Sequence, residues 1–329
     1  MTAKENKIQK IAVLCSGGDS PGMNCAIRAV VRTAIGSGLE IFGIQKGYAG
    51  LLEGNIRELN VSSVGNIIQH GGTVLQTSRC PEFQTEEGRR EAANILRRKK
   101  IDALVVIGGD GSFNGAFKLH EEHKIPVIGI PGTIDNDIDG TDYTIGFDTA
   151  VQNAVDAVDK IRDTANSHAR TFIVEVMGRK SPAIALKVGI CTGAENVVFP
   201  TKDIDYNKIV GDIDRGIKRG KTSSIIIAAE GEVEGISHTI QKNLKEKFNL
   251  MAHVCILGHI QRGGNPTPTD RLIASEMGHL AVKAIISNHQ CHVTVVRNGK
   301  VQLAPLADSL RKKNEFDPNE VSLLTALSI

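Results

Sequence analysis

The stretch Ala103-Leu104-Val105-Val106-Ile107-Gly108-Gly109-Asp110-Gly111-Ser112 sets an unbroken apolar run against a turn in which glycines surround one carboxylate. A run without polar alternation is the pattern of a strand buried on both faces, as in parallel sheets. Comparable Val- and Ile-rich runs recur at residues 11–15, 41–44, 127–130, 172–176, 225–229 and 254–257. Helical spacings lie between them, such as Met23, Ile27, Val30 and Ala34, or Val151, Ala154, Val155, Val158 and Ile161. Strand alternating with helix predicts an α/β fold, a parallel sheet covered by helices. Residues 292–303 alternate polar and apolar around Asn298-Gly299, which predicts a β-hairpin.

A chain of 329 residues is expected to form two domains with a cleft. Its 34 glycines exceed the average share of roughly 7%, a sign of tight turns and of backbone that approaches ligands closely. The net charge of +2, with no basic block longer than Arg97-Arg98-Lys99-Lys100, argues against a nucleic-acid partner. Residues 1–10 lack the apolar segment of a signal peptide, and no stretch approaches the ~20 apolar residues of a membrane span. A cytoplasmic location without a membrane partner is therefore expected. The cysteines (Cys15, Cys25, Cys80, Cys191, Cys255 and Cys291) show no CxxC spacing and read as reduced packing residues. Asn60-Val61-Ser62 matches a glycosylation sequon that a cytoplasmic chain would not use, and His120-Glu121-Glu122-His123 lacks the HExxH spacing of a metal box.

In parallel sheets ligands bind beyond the carboxyl ends of the strands. Ser16-Gly17-Gly18-Asp19-Ser20-Pro21-Gly22-Met23-Asn24 ends the first strand and opens a helix, where free N–H groups suit a phosphate. Its glycines are spaced as in a Walker A loop, but Met23-Asn24 stand where Lys and Ser/Thr belong, so a tight strand-to-helix turn is an equal reading. Asp110, flanked by glycines, can reach a magnesium ion while the glycine amides hold the phosphates it bridges. An Asp-Gly turn is the plainer alternative. Pro131-Gly132-Thr133-Ile134-Asp135-Asn136-Asp137 carries two carboxylates that could divide proton acceptance and cation binding, although its composition also suits a surface loop. Arg79, Arg170, Arg179 and Arg262 lie near strand ends or glycines and could clamp phosphate. The strongest local case is Gly258-His259-Ile260-Gln261-Arg262-Gly263-Gly264, which follows an apolar run. Arg28 and Arg32, one helical turn apart, form either a solvated stripe or an anion patch.

The motifs SGGDSPGMNCAIR (16–28), IDALVVIGGDGS (101–112), PGTIDNDIDGTDYTIGFDTA (131–150), VEVMGR (174–179) and LGHIQRGG (257–264), in this order, resemble the bacterial ATP-dependent phosphofructokinase family from about residue 11 to 296. The resemblance implies two Rossmann-like three-layer lobes with mostly parallel sheets and the active site in the cleft between them. The ATP-binding lobe would be residues 1–145 plus about 260–310, and the sugar-phosphate lobe 146–259 plus about 311–329. It also implies transfer of the ATP γ-phosphoryl group to the 1-hydroxyl of fructose 6-phosphate, in a homotetramer. Asp135 would be the proton acceptor, with Asp110 holding Mg2+ and Asp137 assisting. Gly18, Arg79, Cys80, Gly109, Asp110, Gly111 and Ser112 would bind ATP. Thr133, Asp135, Met177, Gly178, Arg179, Glu230, His259 and Arg262 would hold the sugar phosphate, with Arg79, Thr133 and Arg179 stabilising the moving group. Arg170 would come from a neighbouring subunit. Arg28, Arg32, Arg162, Glu195, Arg219 and Lys221 match an effector site for ADP or phosphoenolpyruvate.

Gly111 and Gly132 stand where pyrophosphate-dependent relatives carry Asp and Lys, and space for a nucleotide is the implied reason. Three departures stand out. His253 replaces an arginine that grips the sugar 6-phosphate from the neighbouring subunit, and an imidazole is charged for only part of the time near pH 7. Val61 replaces an effector-site arginine, and Lys180-Ser181-Pro182 replaces a glycine-containing turn. A pyrophosphate-dependent enzyme and a non-catalytic sugar-phosphate sensor remain as alternatives.

Overall fold

Every apolar run singled out above falls on a strand in the computed structural model, except that Leu257 lies just past the end of its strand; the structure describes residues 8–199, 203–231, 235–311 and 318–327. The reading of residues 1–10 as leaderless and the C-terminal limit of the sugar-phosphate lobe fall partly outside those residues. In chain order the elements are β1 (Lys10–Ser16), α1 (Met23–Gly36), β2 (Glu40–Ile44), α2 (Gly47–Leu52), β3 (Ile56–Glu58), α3 (Glu86–Arg98), β4 (Ala103–Gly108), α4 (Asp110–His123) and β5 (Val127–Pro131). Then follow α5 (Phe147–His168), β6 (Thr171–Val176), α6 (Ala183–Thr192), β7 (Asn196–Val198), α7 (Tyr206–Lys218), β8 (Ser224–Ala229), α8 (Ile236–Phe248) and β9 (Ala252–Ile256). The last are α9 (Pro268–Ile286), β10 (Cys291–Arg297), β11 (Lys300–Pro305) and α10 (Pro318–Leu327).

The chain divides into two units, Met1–Gly146 with Asn265–Lys313, and Phe147–Gly264 with Asn314–Ile329. The second crossing lies at Gly264–Asn265, beyond the boundary expected near residue 260. Side-chain bonds account for the difference. Asn153 on α5 donates to the carbonyls of Ile260 and Gly263, and Gln261 accepts from the Met177 amide, so the whole turn stays with the second unit.

The first unit holds a seven-stranded sheet in the order β11-β10-β5-β4-β1-β2-β3. Its neighbours are parallel except at the two edges, where β10 pairs with β11 and β2 with β3 in antiparallel register. Because successive side chains on a strand point to opposite faces, the unbroken apolar runs feed two cores at once. Ile11, Val13 and Cys15 of β1 join Val105 and Ile107 of β4 under α1 and α9. Ala12, Leu14, Leu104 and Val106 point the other way, toward Ala92, Leu96, Phe113 and Leu119 of α3 and α4. Each such buried Leu or Ile side chain is worth roughly 1.5–3 kcal/mol relative to exposure. Helices on both faces make this a three-layer unit.

The second unit holds a fully parallel sheet in the order β7-β8-β6-β9. Ile173, Ile226 and Ala228 pack against Ile209, Ile213, Ile240 and Leu244 of α7 and α8, while α5 and α6 contact the sheet as well. One sequence reading is corrected here: β9 is an edge strand, its Ile256 is 50% exposed, and it is not buried on both faces. The short strands β3 and β7 were too brief to leave a periodic signal.

Candidate active site

In the first unit three parallel strands deliver their loops side by side. Ser16 at the end of β1 is in register with Gly108 of β4, and Gly108 with Pro131 of β5. The three segments singled out in the sequence thus leave adjacent strands at the same edge. Gly132 N donates to Gly108 O at 3.0 Å and carries the pairing one residue further. Close approach explains Gly108: a Cβ there would lie 2.4 Å from Ser16 O and 2.6 Å from Ser112 Oγ. A Cβ on Gly109 would lie 3.5 Å from Thr133 Cβ, so the second and third loops touch as well. Both α1 and α4 begin here behind glycine caps without a side-chain cap, which leaves helix N-termini for a phosphate to use.

Hydrogen bonds cross the third loop. Asp135 N donates to Thr133 Oγ1 at 3.2 Å, Thr144 Oγ1 donates to Thr133 O at 2.6 Å, and Asn136 in the left-handed region sends its Nδ2 to Asp142 O. These bonds hold Asp135 buried, at 6% exposure, while Asp137 is exposed. Asp110 opens α4 with its carboxylate exposed, and Asn114 Nδ2 steadies Oδ1 at 3.0 Å. Thr77 Oγ1 donates to Gly17 O at 2.8 Å and Ser78 Oγ to Lys46 O at 3.0 Å, which brings the segment carrying exposed Arg79 and half-buried Cys80 to the first loop. Burial pushes the Cys80 thiol above its ordinary value.

A residue that sequence reasoning missed ties this corner together. Tyr48 of α2 is buried, donates its hydroxyl to Ser112 O at 2.7 Å, and stacks on Phe83 with ring centroids 3.8 Å apart. Desolvation raises its phenol well above the usual value, which keeps it a donor. Only the scarcity of tyrosine, three in the chain, could have flagged it.

Among the described residues no group of three or more His, Cys, Asp or Glu is placed to hold a metal alone. Mg2+ is ordinarily held by one or two carboxylates together with substrate phosphates, so an exposed Asp110 beside glycine amides fits it.

In the second unit the ends of β6, β8 and β9 carry Met177, Gly178, Arg179, Glu230, His259 and Arg262. Glu230 Oε1 accepts from Arg179 N at 2.9 Å and Gly178 N at 3.4 Å, and Gln261 Oε1 accepts from Met177 N at 2.8 Å. Arg179 sits in the left-handed region at φ 52°, and Ser181 N closes the turn onto Gly178 O at 2.8 Å. That turn assigns a structural part to Lys180-Ser181-Pro182: Ser181 Oγ also accepts from Ala183 N at the start of α6.

Arg170 and His253 are elsewhere. Arg170 precedes β6, and His253 pairs with Phe172 near the amino end of β9. A six-residue strand at roughly 3.3 Å per residue separates them from the Met177–Arg179 turn by about 20 Å. Of the effector set, Arg162, Glu195 and Lys221 converge, Lys221 Nζ lying 2.8 Å and Arg162 Nη1 3.9 Å from Glu195 Oε1. Arg219 follows α7, Arg28 and Arg32 lie on α1 of the other unit, and Val61 is exposed.

Glycine turns, uncapped helix starts and a buried carboxylate at neighbouring parallel strand ends define an α/β protein built to hold phosphorylated ligands. The family model described as phosphofructokinase matches residues 10–285, and the chain belongs to that family. It is 50% identical over 322 residues to the ATP-dependent 6-phosphofructokinase of Bacillus velezensis, covering 98% of this chain and 100% of that protein. The ATP-dependent 6-phosphofructokinase of Clostridioides difficile is 48% identical with the same coverage. Among solved structures, phosphofructokinase from Saccharomyces cerevisiae superposes with a TM-score of 0.84 at 37% identity, covering 97% of this chain and 46% of that longer one. The pyrophosphate-dependent phosphofructokinase of Marinobacter aquaeolei reaches a TM-score of 0.85 at 19% identity, with 97% and 91% of the two chains covered, which speaks to the fold alone.

Proposed function

We propose that the chain transfers the γ-phosphoryl group of ATP to the 1-hydroxyl of fructose 6-phosphate, giving fructose 1,6-bisphosphate and ADP, the committed step of glycolysis. The observation that carries this reading is the buried Asp135, its backbone bonded to Thr133, in the loop that follows β5, next to β4, whose own following turn opens α4 with Asp110. Its carboxylate accepts the proton as the sugar oxygen attacks phosphorus, and the bond to the bridging oxygen breaks toward ADP. Gly18, Arg79, Cys80 and Gly109 to Ser112 hold ATP, and Asp110, helped by Asp137, holds Mg2+. When bound, Mg2+ neutralises charge on the phosphates. Thr133, Met177, Gly178, Arg179, Glu230, His259 and Arg262 position the sugar phosphate, and Arg79, Thr133 and Arg179 stabilise the transferring group.

Arg170 and His253 serve the site of a neighbouring copy in a homotetramer, a reading supported by their place at the opposite end of their sheet from the Met177–Arg179 turn. Arg28, Arg32, Arg162, Glu195, Arg219 and Lys221 bind ADP or phosphoenolpyruvate. A glycolytic role places the enzyme in the cytoplasm, and no described helix is long and apolar enough to cross a membrane.

Gly111 supports ATP as donor, because a Cβ there meets nothing within 4 Å and a side chain would extend into open space at the start of α4. Gly132 has a different reason: its Cβ would press on Ile107 Cγ2 at 3.0 Å and Met23 Cε at 3.1 Å, inside the core. A coupled assay tests the reading. ATP should support turnover, pyrophosphate should not, and Asp135→Asn should lower kcat by about 10²–10⁴. Turnover with pyrophosphate, or none with either donor, would refute it.

A further inference from the structure

Three consecutive amides, those of Met177, Gly178 and Arg179, point at side chains from two other strand ends, not at backbone carbonyls. Glu230, which follows β8, takes two of them. Gln261, in the turn that follows β9, takes the third at 2.8 Å. Gln261 is wholly buried, although it stands between exposed Ile260 and half-buried Arg262. Its Nε2 meets no partner among the described residues. Rotating the amide would set that nitrogen against the Met177 N–H, donor to donor, so the Met177 amide fixes which end is the oxygen. A buried donor without a partner is costly, and the residue retains one in order to present its acceptor.

We infer that Gln261 is a positioning residue for the sugar-phosphate site: it locks the left-handed Arg179 turn to the His259–Arg262 turn and so sets where the Arg179 guanidinium sits. Arg179 itself takes a φ of 52°, a conformation that a non-glycine residue holds only when its surroundings impose it. Glu230 holds it directly through the Gly178 and Arg179 amides, and Gln261 anchors the start of the same turn at the Met177 amide. Asn153, bonded to the carbonyls of Ile260 and Gly263, stops the second turn from giving way. The inference rests on the reading of this turn as the sugar-phosphate site.

The test compares Gln261→Met, which keeps the length and loses the acceptor, with Gln261→Glu, which keeps the acceptor oxygen and is held largely neutral by burial. Gln261→Met should raise the Kd for fructose 6-phosphate at least about tenfold while the KM for ATP stays within about twofold. Hydrogen exchange at the Met177 amide should quicken in the same variant. Gln261→Glu should recover most of both. An unchanged Kd in Gln261→Met, or equal losses for both substrates with a matching fall in Tm, overturns the positioning role. Wild-type protein that neither binds nor phosphorylates fructose 6-phosphate sinks the functional reading instead, and the exchange rate at Met177 still reports whether Gln261 holds the turn.

Discussion

Two glycines that look equivalent in sequence do different work. Gly111 opens on space, whereas the Cβ of a residue at 132 would be driven between Ile107 and Met23. Gly132→Ala should therefore cost about 1–3 kcal/mol of stability by overpacking, read as a lower Tm. Gly111→Ala should leave Tm unchanged or slightly raised, since alanine is the better residue in a first helical turn, and should act on the KM for ATP. If both glycines made room for the nucleotide, both variants would act equally on ATP, so the pair separates packing from donor choice. The same lesson applies to Asp135. Its seven-residue segment is loop-like in composition, yet Asp135 N is bonded to Thr133, Thr144 is bonded to the Thr133 carbonyl, and the Asp135 side chain is buried.

At the scale of elements, α4 joins chemistry to support. Its first residue is Asp110, while Glu122 in its last turn forms a two-pronged pair with buried Arg89 of α3, at 2.6 and 2.7 Å. The third guanidinium nitrogen, Nη1, donates to the carbonyls of Phe83 and Gln84, in the segment that follows Arg79 and Cys80. The HEEH box is thus a strut, and the structure explains Glu122 without a metal. The hydrogen bonds from Arg89 hold the Glu122 carboxyl below its ordinary range. A carboxyl lowered by folding contributes stability above its unfolded pKa, and that contribution is lost as pH falls through the folded value. Glu122→Gln should cost about 1–3 kcal/mol at pH 7, with the Tm difference from wild type closing in acid below the normal carboxylate range. A Tm gap that persisted unchanged into acid would assign the loss to packing and not to charge.

At the scale of the whole molecule, the second unit keeps its candidate residues at two opposite ends of one sheet. Met177, Gly178, Arg179, Glu230 and Arg262 gather beyond the carboxyl ends, and Arg170 and His253 lie near the amino ends. The proposed function has Arg170 and His253 serve the site of a neighbouring copy, and this separation is what that proposal requires. Mixing subunits checks it. Arg170→Ala and Asp135→Asn preparations, each with low activity, should regain part of it after joint dissociation and reassembly, because some hybrid sites draw Asp135 and Arg170 from undamaged copies. Activity equal to the mean of the two parents would place all site residues on one chain.

The sequence by itself determined the longer strands, the hairpin, the order of the glycine-bearing motifs and the family, because unbroken apolar runs and long glycine-bearing motifs are local signals that need no partner to be read. It named Asp110, Asp135 and the arginines by type and spacing. Tertiary structure alone decided which loops share an edge, since the register of β1, β4 and β5 is a property of pairing across distant segments. It also decided that Gly132 answers to the core, that Tyr48 bonds to Ser112 and Gln261 to the Met177 amide, and that Arg170 and His253 stand at the far end of their sheet. None of these is visible along the chain, because each depends on what a side chain meets after folding and not on the residues beside it.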